Sequence, residues 1–362
     1  MLKKFSARNK SYSLPIFFPD ATLGVVRGLS SEQVIQAGIE GVVINTYHLM
    51  SRPGSDILTK VGGIKPFMNW SGLTASDSGG FQLFSLIHRN PKLGKIVDDG
   101  VVLYSSEKQR KKTLFTPENS IQVQFAINSD IMICLDDFSP IDASPTRLKQ
   151  SIERTIDWAR RCKVEFEKQC RAKKLTEKNR PLLLAVVQGH RDYQLRQQCA
   201  AALIEIDFDG YGFGGWPFDD DGNFDYEMAR VTAEATPDDK LRFALGVGSP
   251  TNIVKLREMG YDLFDCVLPT RDARHQRLYV FNQDPTKLDL TEATDWYEFL
   301  YLDRGKYATD FSPVNQHCAC PLCQHHSKAY LHHLFKIKDG LAYQLASIHN
   351  LYFYAQVMKN LK

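Results

Sequence analysis

Short apolar runs rich in β-branched and aromatic residues recur along the chain, each followed by a polar or helix-like stretch. They are PIFF (15–18), GVVIN (41–45), GLTASD (72–77), IMICLDD (131–137), LLLAVVQ (182–188), FDGYGFGG (208–215), RFALGV (242–247) and LFDCVL (263–268). Intervening segments such as SSEQVIQAG, SPTRLKQSIERTIDWARRCKVEFEKQ and SPTNIVKLREMG begin on capping residues and space their apolar positions as helices do. Strand and helix therefore alternate as a parallel sheet requires. Eight such units favour a closed (β/α)8 (TIM) barrel of the α/β class over an open sheet.

The alternation breaks between 78 and 130. An insertion at about 87–116, containing DGVVLYSSEKQRKKTLFT, reads as a hairpin with a basic turn ahead of a helix at about 117–128 that opens on PEN, a decoration near the barrel mouth. The pattern changes again after 269 and ends in a cysteine cluster and two helical stretches, SKAYLHHLFKIK and LAYQLASIHNLYFYAQVMKN. The expected organisation is a barrel over 1–285 and a small C-terminal zinc-binding helical subdomain over 286–362, packed on the barrel. There is no repeat of solenoid period and no low-complexity segment.

Composition narrows the class of protein. With 43% hydrophobic and 24% charged residues the chain reads as an ordinary globular protein, and no apolar run approaches the roughly 20 residues that span a bilayer. The N-terminal MLKKFSARNKSYSLPIFF lacks a signal-length apolar core and cleavage site, so a cytoplasmic location with no membrane is expected. A net charge of +3 does not announce nucleic acid, so any RNA surface would have to come from local clusters of Lys and Arg, and composition alone leaves the partner open.

Of the eight cysteines, Cys134, Cys162, Cys170, Cys199 and Cys266 are scattered and read as buried free thiols of a reducing compartment. Cys318, Cys320 and Cys323 instead form C-x-C-x-x-C. Three thiolates and one imidazole make a closed tetrahedral shell, the arrangement of a structural Zn2+ site with no open position for water. His317, His325, His326, His332, His333 and His349 are all candidates for the fourth ligand.

Barrel enzymes of this architecture place their chemistry at the C-terminal ends of the strands. There the runs carry Asn45, Asp77, Asp136 with Asp137, Gln188, Gly214 with Gly215, and Gly246 with Gly248, and Asp265 lies inside the last strand. Each carboxyl taken alone has a structural reading: Asp77 as a turn cap, Asp136 and Asp137 as caps of the following helix, Asp265 as a satisfied core group. Gathered on one rim they are hard to read as caps. A carboxylate pair suits glycosidic exchange, one attacking the anomeric carbon and the other managing protons. Asp136, Gln188 and Gly215 suit recognition of a flat base, with Asp136 placed to accept the adjacent N–H donors of guanine, Phe81 to stack and Leu245 to cover the other face.

These segments, namely ASDSGGFQLFSL, NTYHLMSRPG, VVQG, FDGYGFGG, LGVGSP, FDCVLPTRDAR, and CACPLC with IHNL, closely resemble the bacterial type of the tRNA-guanine transglycosylase (queuine tRNA-ribosyltransferase) family, from about residue 15 to 360. The resemblance implies a pentosyltransferase of queuosine biosynthesis. It would exchange guanine at the anticodon wobble position of G-U-N tRNAs for a free 7-deazaguanine base, preQ1 or queuine, through a covalent ribosyl-enzyme intermediate. Carried over by motif, Asp265 is the nucleophile and Asp77 the general acid/base. Ser78, Gly79, Gly80, Phe81, Asp136, Gln188, Gly215 and Leu245 bind the base. Gly246, Val247, Gly248, Ser249, Pro250, Thr251 and Asn252, with Thr270, Arg271, Asp272, Ala273 and Arg274, contact the anticodon stem-loop, and Arg271, Arg274 and Arg277 supply the local positive charge. The target base must leave its stack. Cys318, Cys320, Cys323 and His349 hold one zinc, and a homodimer is implied.

The chain departs from the family pattern beside the base pocket. LDDF in place of the usual FDEC brings in Phe138, and Gly214 to Asp220 replaces GGLAVGE, bringing in Trp216 and the bulky Phe218, with Asp220 in the place of the usual Glu. Leu245 stands for the usual Met, and Arg274, His275 and Gln276 for R-N-G. Two alternative functions are a non-catalytic tRNA-binding partner subunit, which retention of both Asp77 and Asp265 argues against, and a paralogue acting on DNA. A metal-dependent barrel hydrolase would need a histidine cluster at the mouth, which the sequence does not supply.

Overall fold

The computed structural model describes residues 1–104, 112–219 and 221–362. Eight parallel strands form one sheet: β1 Ile16–Pro19, β2 Gly41–Asn45, β3 Leu73–Asp77, β4 Ile131–Ile133, β5 Leu182–Val187, β6 Gly210–Phe213, β7 Leu241–Ala244 and β8 Leu263–Cys266. Each pairs with its sequence neighbour from β2 round to β8, and β8 pairs with β1, with Asp265 opposite Phe18. The ring closes between β1 and β2 by a parallel bridge from Asp20 to Val43 and a 2.7 Å bond from the Ala21 N–H to the Val43 carbonyl. The expected (β/α)8 barrel is the observed fold.

Pleating explains how these strands build a core. Alternate residues point to opposite faces. Ile16 and Phe18, Leu73 and Ala75, Ile131 and Ile133, Leu184 and Val186, and Leu241 and Phe243 share one buried cluster with Val43 and Leu263, the barrel interior. Their alternates, such as Phe17, Val42, Ile44, Ala185 and Phe264, belong to clusters formed with the surrounding helices. An N-terminal hairpin, Lys4–Ala7 paired with Lys10–Ser13, packs Phe5 and Tyr12 against the interior cluster.

The insertion is a three-stranded antiparallel sheet of Gly94–Val97, Gly100–Tyr104 and Lys112–Phe115, followed by a helix over Pro117–Ile127. Its expected basic turn falls largely on residues 105–111, outside the described residues, as does Asp220. Beyond β8, Arg277–Phe281 pairs antiparallel with Tyr297–Tyr301, so the boundary expected at 285 falls in the connection between these two strands. The final helix, Gly340–Asn360, is buried on several sides because its residues join three clusters: Leu345 with the cysteine region, Ile348 with β2, and Phe353 and Tyr354 with β8. No helix among the described residues is long and apolar enough to cross a membrane.

Candidate functional site

Continuing the inward alternation past the apolar interior places Asp20 just past β1, Asn45 on β2, Asp77 on β3, Gln188 just past β5, Leu245 just past β7 and Asp265 on β8 at one barrel mouth. Asp20 was missed by a reading of the strand ends that stopped β1 at Phe18. The signal was the same period of two, carried one step beyond Pro19.

Asn45 and Asp77 are register partners, and the Asn45 amide donates to Asp77 Oδ2 at 2.8 Å. Asp77 Oδ1 accepts the N–H groups of Gly79 at 2.9 Å and Thr46 at 3.3 Å. On β8, Asp265 Oδ1 accepts the Gly246 N–H at 2.8 Å. Burial pushes the Asp77 carboxyl up to about 7 against these donors, with Asp20 adding in the same direction. Burial pushes Asp265 to about 7 as well, opposed by the Gly246 N–H and reinforced by the charges of Asp77 and Asp20. Two carboxyls near neutrality and close enough to act on each other can hold one proton between them.

Beside this pair, Gln188 is buried and donates from its amide to Asp136 Oδ2 at 2.6 Å. Burial first, then the neighbouring Asp137, pushes Asp136 up to about 6, while Gln188 opposes the rise. Gly215 has φ +94°, and a Cβ there would stand 3.3 Å from the Gln188 Oε1, so a glycine fits this left-handed turn against the amide. Asp136, Gln188 and Gly215 are thus brought together, whereas Asp137 turns inward to ion pairs with Arg147 and Arg154 of the following helix. Phe81 is 51% exposed, and its ring meets Phe138 edge to face at 5.2 Å. Ser78 is buried, its hydroxyl accepting the Gly80 N–H at 3.2 Å, at the start of the helix Gly80–Arg89 that carries Phe81. Trp216 and Phe218 are also exposed and lie ring to ring at 6.1 Å on the loop after β6.

The segments expected to contact RNA divide by exposure. Arg271 and Gly246 are exposed, and Ser249, Thr251, Asn252 and Arg274 are partly so. Val247, Gly248, Pro250, Thr270, Asp272 and Ala273 are buried. Gly248 packs so tightly that a Cβ would meet the Cys266 Sγ at 1.8 Å, and Asp272 accepts from Arg277 at 2.7 Å. These buried residues shape the surface from beneath.

Cys318, Cys320, Cys323 and His349 form a buried group whose ligand atoms all lie within 4.8 Å of one another. The three sulfurs stand 3.7, 3.4 and 3.3 Å from His349 Nδ1. With Zn–S near 2.3 Å and Zn–N near 2.0–2.1 Å, a tetrahedral shell has N···S edges of about 3.6 Å. His349 Nε2 donates to the Tyr279 carbonyl at 2.8 Å, which leaves Nδ1 bare for a metal. The cluster fits a structural zinc site and selects His349 among the histidine candidates.

The barrel, the carboxyl-lined mouth and the appended Cys3His centre define the class: a (β/α)8 barrel with a cluster that fits a structural zinc site and with several carboxyls gathered at its mouth. The family model described as Queuine tRNA-ribosyltransferase matches residues 2–362, and the chain belongs to this family. It is 40% identical over 348 residues to the queuine tRNA-ribosyltransferase of Thermoanaerobacter pseudethanolicus, covering 96% of this chain and 85% of that relative. It is 36% identical over 355 residues to that of Staphylococcus haemolyticus, covering 97% and 85%, and 36% identical over 348 residues to that of Desulforapulum autotrophicum, covering 96% and 86%.

Proposed function

We propose that this protein is a tRNA-guanine transglycosylase that exchanges guanine at the wobble position of G-U-N anticodons for a 7-deazaguanine. The observation that supports the reading is that the mouth holds Asp77 and Asp265, each near neutrality, together with the joined Asp136, Gln188 and Gly215.

Asp265, ionised and oriented by the Gly246 N–H, attacks C1′ of the ribose as the C1′–N9 bond breaks, and the proton held by Asp77 goes to the departing guanine. The product is a ribosyl ester on Asp265. The incoming 7-deazaguanine loses its N9 proton to Asp77, its N9 attacks C1′, and the ester bond breaks to restore the Asp265 carboxylate. Asp136 accepts the paired N–H donors of the base, Gln188 and Gly215 line the rest of its edge, Phe81 stacks on it and Leu245 covers its other face. Ser78, Gly79 and Gly80 position Phe81 and Asp77, while Arg271 and Arg274 meet backbone phosphates. Zinc, when bound, ties the C-terminal helices together.

The same reading makes residues 1–285 the catalytic barrel, residues 286–362 its zinc-binding subdomain, and the working unit a cytoplasmic homodimer. Light scattering of the free and tRNA-bound protein measures the assembly. A non-catalytic partner subunit is disfavoured because both reactive carboxyls are present.

Incubation with labelled guanine and an unmodified G-U-N tRNA, beside a matched DNA stem-loop, tests the proposal. Label entering only the tRNA, and chased out by preQ1 or queuine, is expected. No label in tRNA with zinc-loaded, folded protein would overturn it, and label in the DNA alone would favour the DNA paralogue.

A further inference from the structure

Asp20 is a further carboxyl at the mouth, beside Asp77, Asp136 and Asp265, and has no role in the exchange described above. The pleat that turns Ile16 and Phe18 into the barrel interior carries Asp20 to the next inward position, and its bridge to Val43 fixes it against β2. It therefore stands on the strand between Asp265 of β8 and Asn45 of β2. Its charge acts on both Asp265 and Asp77.

The two oxygens of Asp20 differ. Oδ1 accepts the Thr22 N–H at 3.3 Å and the Thr22 hydroxyl. The Thr22 carbonyl in turn accepts the Asn45 N–H at 3.4 Å, so the strand end is tied to the residue that holds Asp77. Oδ2 accepts no hydrogen bond from the described residues. Its neighbours on β2 and β3 are occupied: Asn45 donates to Asp77 and accepts the His48 N–H, and both Asp77 oxygens have donors.

The stereochemistry of the exchange says what should meet that free oxygen. In a β-ribonucleoside the base lies on one face of the sugar and the 2′- and 3′-hydroxyls on the other. A carboxylate displacing the base approaches C1′ from the hydroxyl face. Groups flanking Asp265 on the adjoining strand therefore meet the hydroxyl next to C1′. We infer that Asp20 accepts the ribose 2′-hydroxyl of the nucleotide whose base is exchanged, making it a specificity residue that distinguishes RNA from DNA at that one position. This rests on the base-exchange reading.

The test compares two RNA anticodon stem-loops that differ only in a ribo or 2′-deoxy sugar at the exchanged guanosine, with kcat/KM for labelled guanine measured on each. Asp20→Ala removes both acceptors. Asp20→Asn keeps an acceptor for Thr22 and so preserves the strand end; a thermal midpoint near that of the parent confirms it. In Asp20→Ala the ribo-to-deoxy ratio should fall by roughly tenfold or more relative to the parent, the usual weight of a hydrogen bond to a charged group, and in Asp20→Asn, whose amide can donate to the hydroxyl oxygen but offers no charged acceptor, by less. A ratio unchanged in both variants, including one in which both substrates slow alike, overturns the inference. Failure of the parent to exchange guanine on the ribo stem-loop would instead overturn the base-exchange reading itself.

Discussion

The side-chain amide of Asn45 donates to the carboxyl of Asp77 across adjacent strands at 2.8 Å, while its own oxygen caps the turn that follows β2. This bond holds down the affinity of Asp77 for its proton against burial. Because Asp77 and Asp265 are each near 7, exchange should peak near neutral pH, where the pair holds one proton. Asn45→Ala should lower kcat roughly tenfold and move the alkaline limb of the kcat/KM profile upward. A profile that loses height without shifting would mean that Asn45 acts only on packing.

Stability should answer oppositely to activity. Both carboxyls are raised above the ordinary range, so between about pH 4 and pH 7 the folded protein binds more protons than the unfolded chain, and stability falls as pH rises through that window. Asp265→Asn and Asp77→Asn should each raise the thermal midpoint at pH 8, with the gain shrinking towards pH 4. Calorimetry across pH measures this; a lower midpoint at pH 8 would show that the charges are stabilised in the fold.

The barrel was legible because parallel strands covered on both faces read as unbroken apolar runs, and GVVIN corresponds to β2 residue for residue. Its ends were less so: β4 was expected to reach 137 but stops at Ile133, and beyond it the chain bends so that Asp136 meets Gln188 while Asp137 meets Arg147. Two adjacent aspartates look alike in sequence and are separated only by which helix passes behind them. Asp20 was hidden by Pro19, which ended the apolar run one position before the mouth. The cysteine spacing was self-evident, but the histidine that joins it comes from a helix, and only packing separates His349 from His332, which instead bonds the Leu302 carbonyl at 2.6 Å.

Base recognition should be separable from RNA binding. Gln188→Ala removes the donor to Asp136 and leaves a buried carboxyl without it. The KM for guanine should rise roughly 10- to 100-fold while that for tRNA moves less than about threefold. Equal rises for both substrates would place Gln188 outside the base pocket.

The zinc centre should act on stability and, through it, on the mouth. His349 shares its helix with Tyr354, whose hydroxyl donates to the Gly248 carbonyl at 2.6 Å, next to the segment that orients Asp265. Stripping the metal with a strong chelator, or Cys320→Ser, should destabilise the fold by more than about 3 kcal/mol and abolish exchange. An unchanged melting curve in metal-free protein would refute a structural role.

The central claim is that Asp265 carries the ribosyl group. Protein mixed with an RNA anticodon stem-loop, with released guanine removed, should yield an adduct that survives denaturation and has the summed mass of protein and guanine-free RNA, mapping by peptide mass to Asp265. The adduct should be absent in Asp265→Asn. An adduct of that mass retained in Asp265→Asn, or mapped to Asp77 or Asp20, would contradict the account.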